Sequence, residues 1–110
     1  EDIIPDFSLA RVFIFHPDPW FKKRHHKRRV INLELIRLLQ KKMMSSGIVY
    51  ISTDVHELYD DIMTVLLHDN NKDFIKNDSF WTNDYKTHWS QFSNVDSRSQ
   101  FFATFKFKEE

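Results

Sequence analysis

His16-Pro17-Asp18-Pro19-Trp20-Phe21-Lys22-Lys23-Arg24-His25-His26-Lys27-Arg28-Arg29 is the stretch on which the fold turns. Leu9 to Phe15, just before it, is a nearly continuous apolar run rich in β-formers. Such a run suits a strand covered on both faces, as in a parallel sheet. Pro17 and Pro19 end it, because proline has no N–H to give a ladder. After the stretch, Val30 to Met44 sets Ile31, Leu35, Leu38 and Leu39 at close to helical spacing. Asn32 is the candidate N-cap, Glu34 suits the first turn, Lys41 and Lys42 suit the last, and Gly47 reads as the stop. Ile48 to Ser52 is a second short β-branched run. Strand, crossover helix and strand make a parallel βαβ unit.

Outward from this unit, Glu1 to Ser8 reads as an incoming loop. Thr53 and Asp54 end the second strand, and Asp54 with Glu57 has the spacing of a capping box. Val55, Leu58, Tyr59, Ile62, Val65 and Leu66 line one helical face up to about His68. Asp69 to Asp84 is Asn/Asp/Lys-rich, with Phe74, Ile75, Phe80 and Trp81 as anchors and room for a short strand. Tyr85 to Gln100 reads as loop. Phe101 to Lys108 alternates, with Phe101, Ala103, Phe105 and Phe107 on one face, and predicts an antiparallel strand. The fold class is α/β: a parallel βαβ unit plus a C-terminal antiparallel strand.

The formal charge is zero, from 16 Lys+Arg and 16 Asp+Glu, but it is segregated. Residues 22–29 hold six Lys/Arg, which leaves ten cations against sixteen acids in the rest of the chain. The local block therefore says more about partners than the net charge does. With 110 residues and 11 Phe the chain has the material for one core. It has no cysteine, which excludes disulfide and thiolate chemistry and fits a reducing compartment. No apolar run approaches membrane-spanning length and no signal peptide opens the chain. These features predict a soluble intracellular protein, and a chain that opens on Glu1 rather than Met predicts a processed product or an excised fragment.

Ligands of open parallel α/β sheets bind beyond the carboxyl ends of the strands. Asp18 lies just past the first strand and Asp54 just past the second, so neighbouring strands would turn both carboxylates toward one crevice. Each has a plainer reading: Asp54 as a helix cap, Asp18 as a turn acceptor between two prolines. The basic block can be a solvated face, an import signal or membrane-surface patch, or a phosphate track. Its place after a strand end favours the phosphate track, and Trp20 and Phe21 could stack on a base. The six histidines show no metal-ligand spacing. A glycine-rich nucleotide loop cannot be built from Gly47 alone.

From Phe15 to Arg29 the chain closely resembles the signature of the tRNA (guanine-N7)-methyltransferases, which reads roughly Phe-Pro-Asp-Pro-Trp-x-Lys-x-Arg-His-x-Lys-Arg-Arg. The resemblance runs on through Val30 to Gly47 and Thr53-Asp54, fades after His68, and returns at Thr87 and Phe101 to Phe107, where it looks most like the eukaryotic branch. It implies a class I, Rossmann-like methyltransferase sheet using S-adenosylmethionine, with residues 1–110 as the C-terminal portion of the domain. The cofactor's glycine-rich loop would then belong to an upstream half, and the fragment alone would be inactive.

By the same resemblance, Asp18 is the active-site carboxylate. Phe15 and Thr87 contribute to the cofactor pocket. Lys22 and Asp54 contact the target nucleotide, and Arg24, His25, Lys27, Arg28 and Arg29 grip the tRNA backbone. A WD-repeat partner subunit and a nuclear or cytoplasmic location follow from the eukaryotic branch; no membrane or metal is implied. Two positions depart from the pattern. His16 replaces the usual Phe before Pro17, and Thr87-His88-Trp89-Ser90 lacks the expected acid. The other reading of the chain is a non-catalytic RNA-binding module that uses only the 22–29 block. Either way, the Leu9–Phe15 strand is expected to need a further neighbour along its edge.

Overall fold

The computed structural model describes residues 4–76, 78–81 and 100–108. Four strands form one sheet: β1 (Leu9–Phe15), β2 (Met43–Thr53), β3 (Lys72–Phe74) and β4 (Phe101–Phe107). They are joined by α1 (Leu33–Lys42) and α2 (His56–Leu66), and a short 3₁₀ helix spans Lys23–Arg28. The strand order is β1-β2-β4-β3. β1 and β2 are parallel, and β4 runs antiparallel to both β2 and β3. This is the expected βαβ unit with the expected antiparallel C-terminal strand. Its mixed sheet agrees with part of a class I methyltransferase fold.

β2 is central because both faces of its second half are apolar and covered. Val49, Tyr50 and Ile51 are buried, as are Ser52 and Thr53. Val49 and Ile51 sit in the core cluster with Ile36 and Leu39 of α1 and with Leu58, Ile62 and Leu66 of α2. Each fully buried aliphatic side chain there contributes roughly 1.5–3 kcal/mol. The opposite face carries Phe13 and Phe15 of β1, Tyr50 of β2 and Phe102 of β4, with Phe80 and Trp81 packed on them. Trp81 Nε1 donates to Thr104 Oγ1 at 2.6 Å, and the Tyr50 hydroxyl donates to Asp78 at 3.2 Å. Burial, then the Asp78 carboxylate, pushes the Tyr50 phenol above its ordinary pKa. Among the described residues β1 is an edge strand, with Phe13 and Phe15 partly exposed.

α1 is shorter than its apolar pattern suggests. Asn32 caps it as expected, its Oδ1 accepting from the Leu35 N–H at 2.8 Å. The helix ends at Lys42, and Met43 turns straight into β2 with φ −75° and ψ 141°. Gly47 is therefore not a helix stop; it lies inside β2. Leu9 pairs with Met43 and Arg11 with Ile48, so five steps along β2 are matched by two along β1. The bulge presses Gly47 against its neighbour: a Cβ there would stand 2.8 Å from the Leu9 carbonyl oxygen and 2.6 Å from Met43 Cε. Glycine is needed for close approach, not for a left-handed turn.

The end of α1 is strapped to the incoming chain. Phe7 and Ser8 N–H groups donate to the Lys41 and Lys42 carbonyls at 3.2 and 2.8 Å, satisfying acceptors that a helix end leaves open. The Lys42 ammonium donates to the Ile4 carbonyl at 2.7 Å and to Asp6 Oδ1 at 2.9 Å. That hydrogen bond holds the Asp6 carboxyl below its ordinary pKa. The short strand expected within 69–84 is β3. Apart from Gln100, the Tyr85–Gln100 loop reading lies outside the described residues.

Candidate functional site

The parallel pairing of β1 and β2 brings their carboxyl ends to one edge, with Phe15 opposite Ser52. The His16 N–H continues the ladder one step, donating to the Ser52 carbonyl at 2.8 Å. His16 then takes φ 49°, a left-handed conformation that a β-carbon makes costly and that turns the chain out of the sheet. Its ring comes back toward the end of β2, with Nδ1 3.9 Å from Asp54 Oδ1 and both side chains only about one-fifth exposed, at 22% and 21%. Burial outweighs the Asp54 charge and holds the His16 pKa below its ordinary value.

Asp54 is not the cap of α2. Val55 occupies that position and offers no capping side chain, while Thr53 Oγ1 accepts from the Val55 N–H at 3.1 Å. The Glu57 carboxylate does not reach back to close a capping box; it turns to Arg29 instead. The Asp54 side chain is placed beside His16 at the end of β1.

Asp18 Oδ1 accepts from the Trp20 N–H at 3.0 Å, a two-residue turn between Pro17 and Pro19. The turn-acceptor reading of Asp18 is therefore real. It also orients the carboxylate, which stays exposed at the surface of the loop. Trp20 takes φ 44°, and its ring is held by the edge of His25 at a centroid distance of 5.6 Å and by the Arg28 guanidinium 5.2 Å away.

The 3₁₀ helix explains how one basic block is divided. With three residues per turn, side chains three apart line up. Arg24 and Lys27 form an exposed edge. His25 and Arg28 form the edge that holds Trp20. His26 and Arg29 face α2. Arg29 is 3% exposed. Its Nε donates to the Pro19 carbonyl at 2.6 Å, and its remaining nitrogens reach Glu57 at 3.1 Å and Asp61 at 3.2 Å. The guanidinium is directed at these three partners, unlike the exposed cations of the block to which the resemblance assigns it. It braces the turn that carries Asp18. The sequence held a signal for this: Arg29 lies two residues before Ile31, itself 3% exposed in the core.

Lys22, Arg24, Lys27 and Arg28 remain exposed at the strand-end edge, with His25 half-buried between them. Phe15 has its ring in the aromatic face, 6.1 Å from that of Phe80. Thr87 lies outside the described residues. The residues present do not by themselves fit S-adenosylmethionine: the only glycine is wedged in β2 against Leu9, so no glycine-rich loop follows β1 or β2. No group of three metal-ligating side chains forms among the described residues. No helix there is long and apolar enough to cross a membrane.

A family model described as "Putative methyltransferase" matches residues 1–103. The tRNA (guanine-N(7)-)-methyltransferase of Shewanella amazonensis is 46% identical over 66 residues, covering 60% of this chain and 28% of that protein. The protein of the same name from Legionella pneumophila (strain Corby) is 52% identical over 63 residues, covering 57% of this chain and 28% of its own length. The chain thus spans less than a third of the length of these curated relatives. Both are bacterial, so they lend no support to the eukaryotic lean seen at Phe101 to Phe107.

Proposed function

The chain belongs to the methyltransferase family whose model spans it, and from that premise we propose that it forms the C-terminal, target-nucleotide side of a tRNA (guanine-N7)-methyltransferase domain. In this reading residues 1–110 contribute the catalytic carboxylate and the RNA surface, and S-adenosylmethionine supplies the methyl group. The nuclear location and WD-repeat subunit tied to the eukaryotic branch find no support in the bacterial relatives, and the proposal does without them.

One observation supports it. β1 and β2 end in parallel at one edge of the sheet, and the chain leaves that edge through Asp18's turn and the basic block after β1 and through Asp54 after β2. Guanine N7 has a free lone pair, so methylation needs no base to remove a proton from it. The protein's task is to align the reacting atoms, and positioning of this kind accounts for several kcal/mol of a barrier. The product base carries a positive charge, which a fixed carboxylate stabilises as it develops. Asp18 serves this role because the two prolines, the Trp20 N–H and the Arg29 brace leave its loop little freedom. Asp54 and Lys22 hold the target nucleotide, and Arg24, His25, Lys27 and Arg28 engage the backbone around it. Phe15 and Thr87 complete the cofactor side.

The test is methyl transfer by the complete protein from methyl-labelled S-adenosylmethionine to an unmodified tRNA transcript. Label recovered at guanine N7 supports the proposal. Firm tRNA binding with no transfer to guanine would replace it with a non-catalytic RNA-binding role.

A further inference from the structure

The exposed cations do not stop at the 3₁₀ helix. A groove of about 620 Å³ runs from that helix along α1, with Lys27 and Arg28 at one end and Arg37 and Lys41 further along. Arg37 and Lys41 are one helical turn apart, so their side chains stand one above the other on the same exposed face. Among the described residues neither is within ion-pair distance of a carboxylate. Three other acids have partners of their own. Asp6 is bound by Lys42, and Glu57 and Asp61 by Arg29. Glu34 is the acid that lines the groove, against four available cations.

Lys41 suits the C-terminal dipole of α1, but Arg37 one turn before it repeats the same sign. A solvated helix usually alternates the signs of its charges at four-residue spacing, because like charges there repel. Here α1 sets Arg37 over Lys41 and continues the sign of the block before it. The groove also opens beside Arg28, whose guanidinium rests on Trp20, two residues from Asp18. A polyanion lying in it would therefore lead directly to the proposed reacting centre.

We propose that Arg37 and Lys41 extend the phosphate-binding track of the 22–29 block along α1, so that the groove holds a second stretch of the tRNA backbone away from the target nucleotide. This rests on the reading of the protein as a tRNA methyltransferase. The two cations set affinity and take no part in methyl transfer. Each phosphate contact should add about 0.7–0.9 to the slope of log affinity against log salt.

The experiment compares two double variants of the complete protein, Arg37→Ala with Lys41→Ala and Lys27→Ala with Arg28→Ala, for binding an unmodified tRNA transcript from 50 to 200 mM salt. Both pairs are exposed, and alanine favours the helix of the first pair. The Arg37/Lys41 variant is expected to bind at least 10-fold more weakly at low salt, with a slope reduced by about 1.4–1.8. Its single-turnover methylation rate at saturating tRNA should be unchanged. Wild-type affinity and slope in this variant, with the Lys27/Arg28 variant weakened, would overturn the extended track and leave the functional reading intact. Wild-type binding by both variants would overturn the track together with the RNA reading of the block on which it rests.

Discussion

Arg29 Nε donates to the Pro19 carbonyl at 2.6 Å while the same guanidinium reaches Glu57 and Asp61 on α2. A cation that the sequence places in a basic track is thus a brace between the loop of Asp18 and the helix behind it. Arg29→Met keeps the apolar stem and removes the fork, leaving the Pro19 carbonyl without its donor. Because Glu57 and Asp61 are half-exposed and can rehydrate, the cost is expected to be about 2–3 kcal/mol. Urea unfolding measures it. In the complete protein the loosened turn should lower the methylation rate while the salt slope of tRNA binding stays at the wild-type value. A slope reduced by about 0.7–0.9 would make Arg29 a phosphate contact after all.

His16 gives the fold a defined pH response. Burial holds its pKa below the ordinary 6.5, so the folded state favours the neutral ring. As pH falls below 6.5 the unfolded chain takes up a proton that the folded chain resists, and stability drops with it. His16→Asn, which suits the left-handed backbone there, removes the effect. Thermal melts from pH 7.5 to 5 should show the wild type losing stability relative to the variant. A wild type that gains relative stability on acidification would show that the Asp54 ion pair outweighs burial.

Gly47→Ala tests the bulge. The new methyl group would meet the Leu9 carbonyl oxygen at 2.8 Å, a backbone atom that moves only with β1. Overpacking of this kind costs roughly 1–3 kcal/mol. A denaturation midpoint equal to the wild type would mean that the bulge relaxes freely. Stabilisation by the alanine would show that the close approach is absent in solution.

The βαβ unit and the final antiparallel strand were legible because their signals are periodic and local: apolar runs at Leu9–Phe15 and Ile48–Ser52, helical spacing from Ile31, and alternation from Phe101. The junction between α1 and β2 was not. Gly47 carries the same letter whether it ends a helix or fits against a neighbouring carbonyl, and the pairing of Leu9 with Met43 that decides between them is a long-range contact. Asp54 misled for a similar reason. Its spacing to Glu57 fits a capping box, but Arg29 claims Glu57 across 28 residues. The block itself was visible at once, while its division into three edges needed the 3₁₀ period, which charge alone does not reveal.

Asp18 is the centre of the proposed chemistry, and the most direct measurement is single-turnover methyl transfer to tRNA by the complete protein carrying Asp18→Ala, with tRNA affinity measured alongside. Loss of the fixed carboxylate should slow transfer to guanine N7 by about 100-fold or more, the scale of removing one preorganised electrostatic group, while affinity stays within about 2-fold. Transfer at close to the wild-type rate would contradict the role given to Asp18 and the strand-end site built around it.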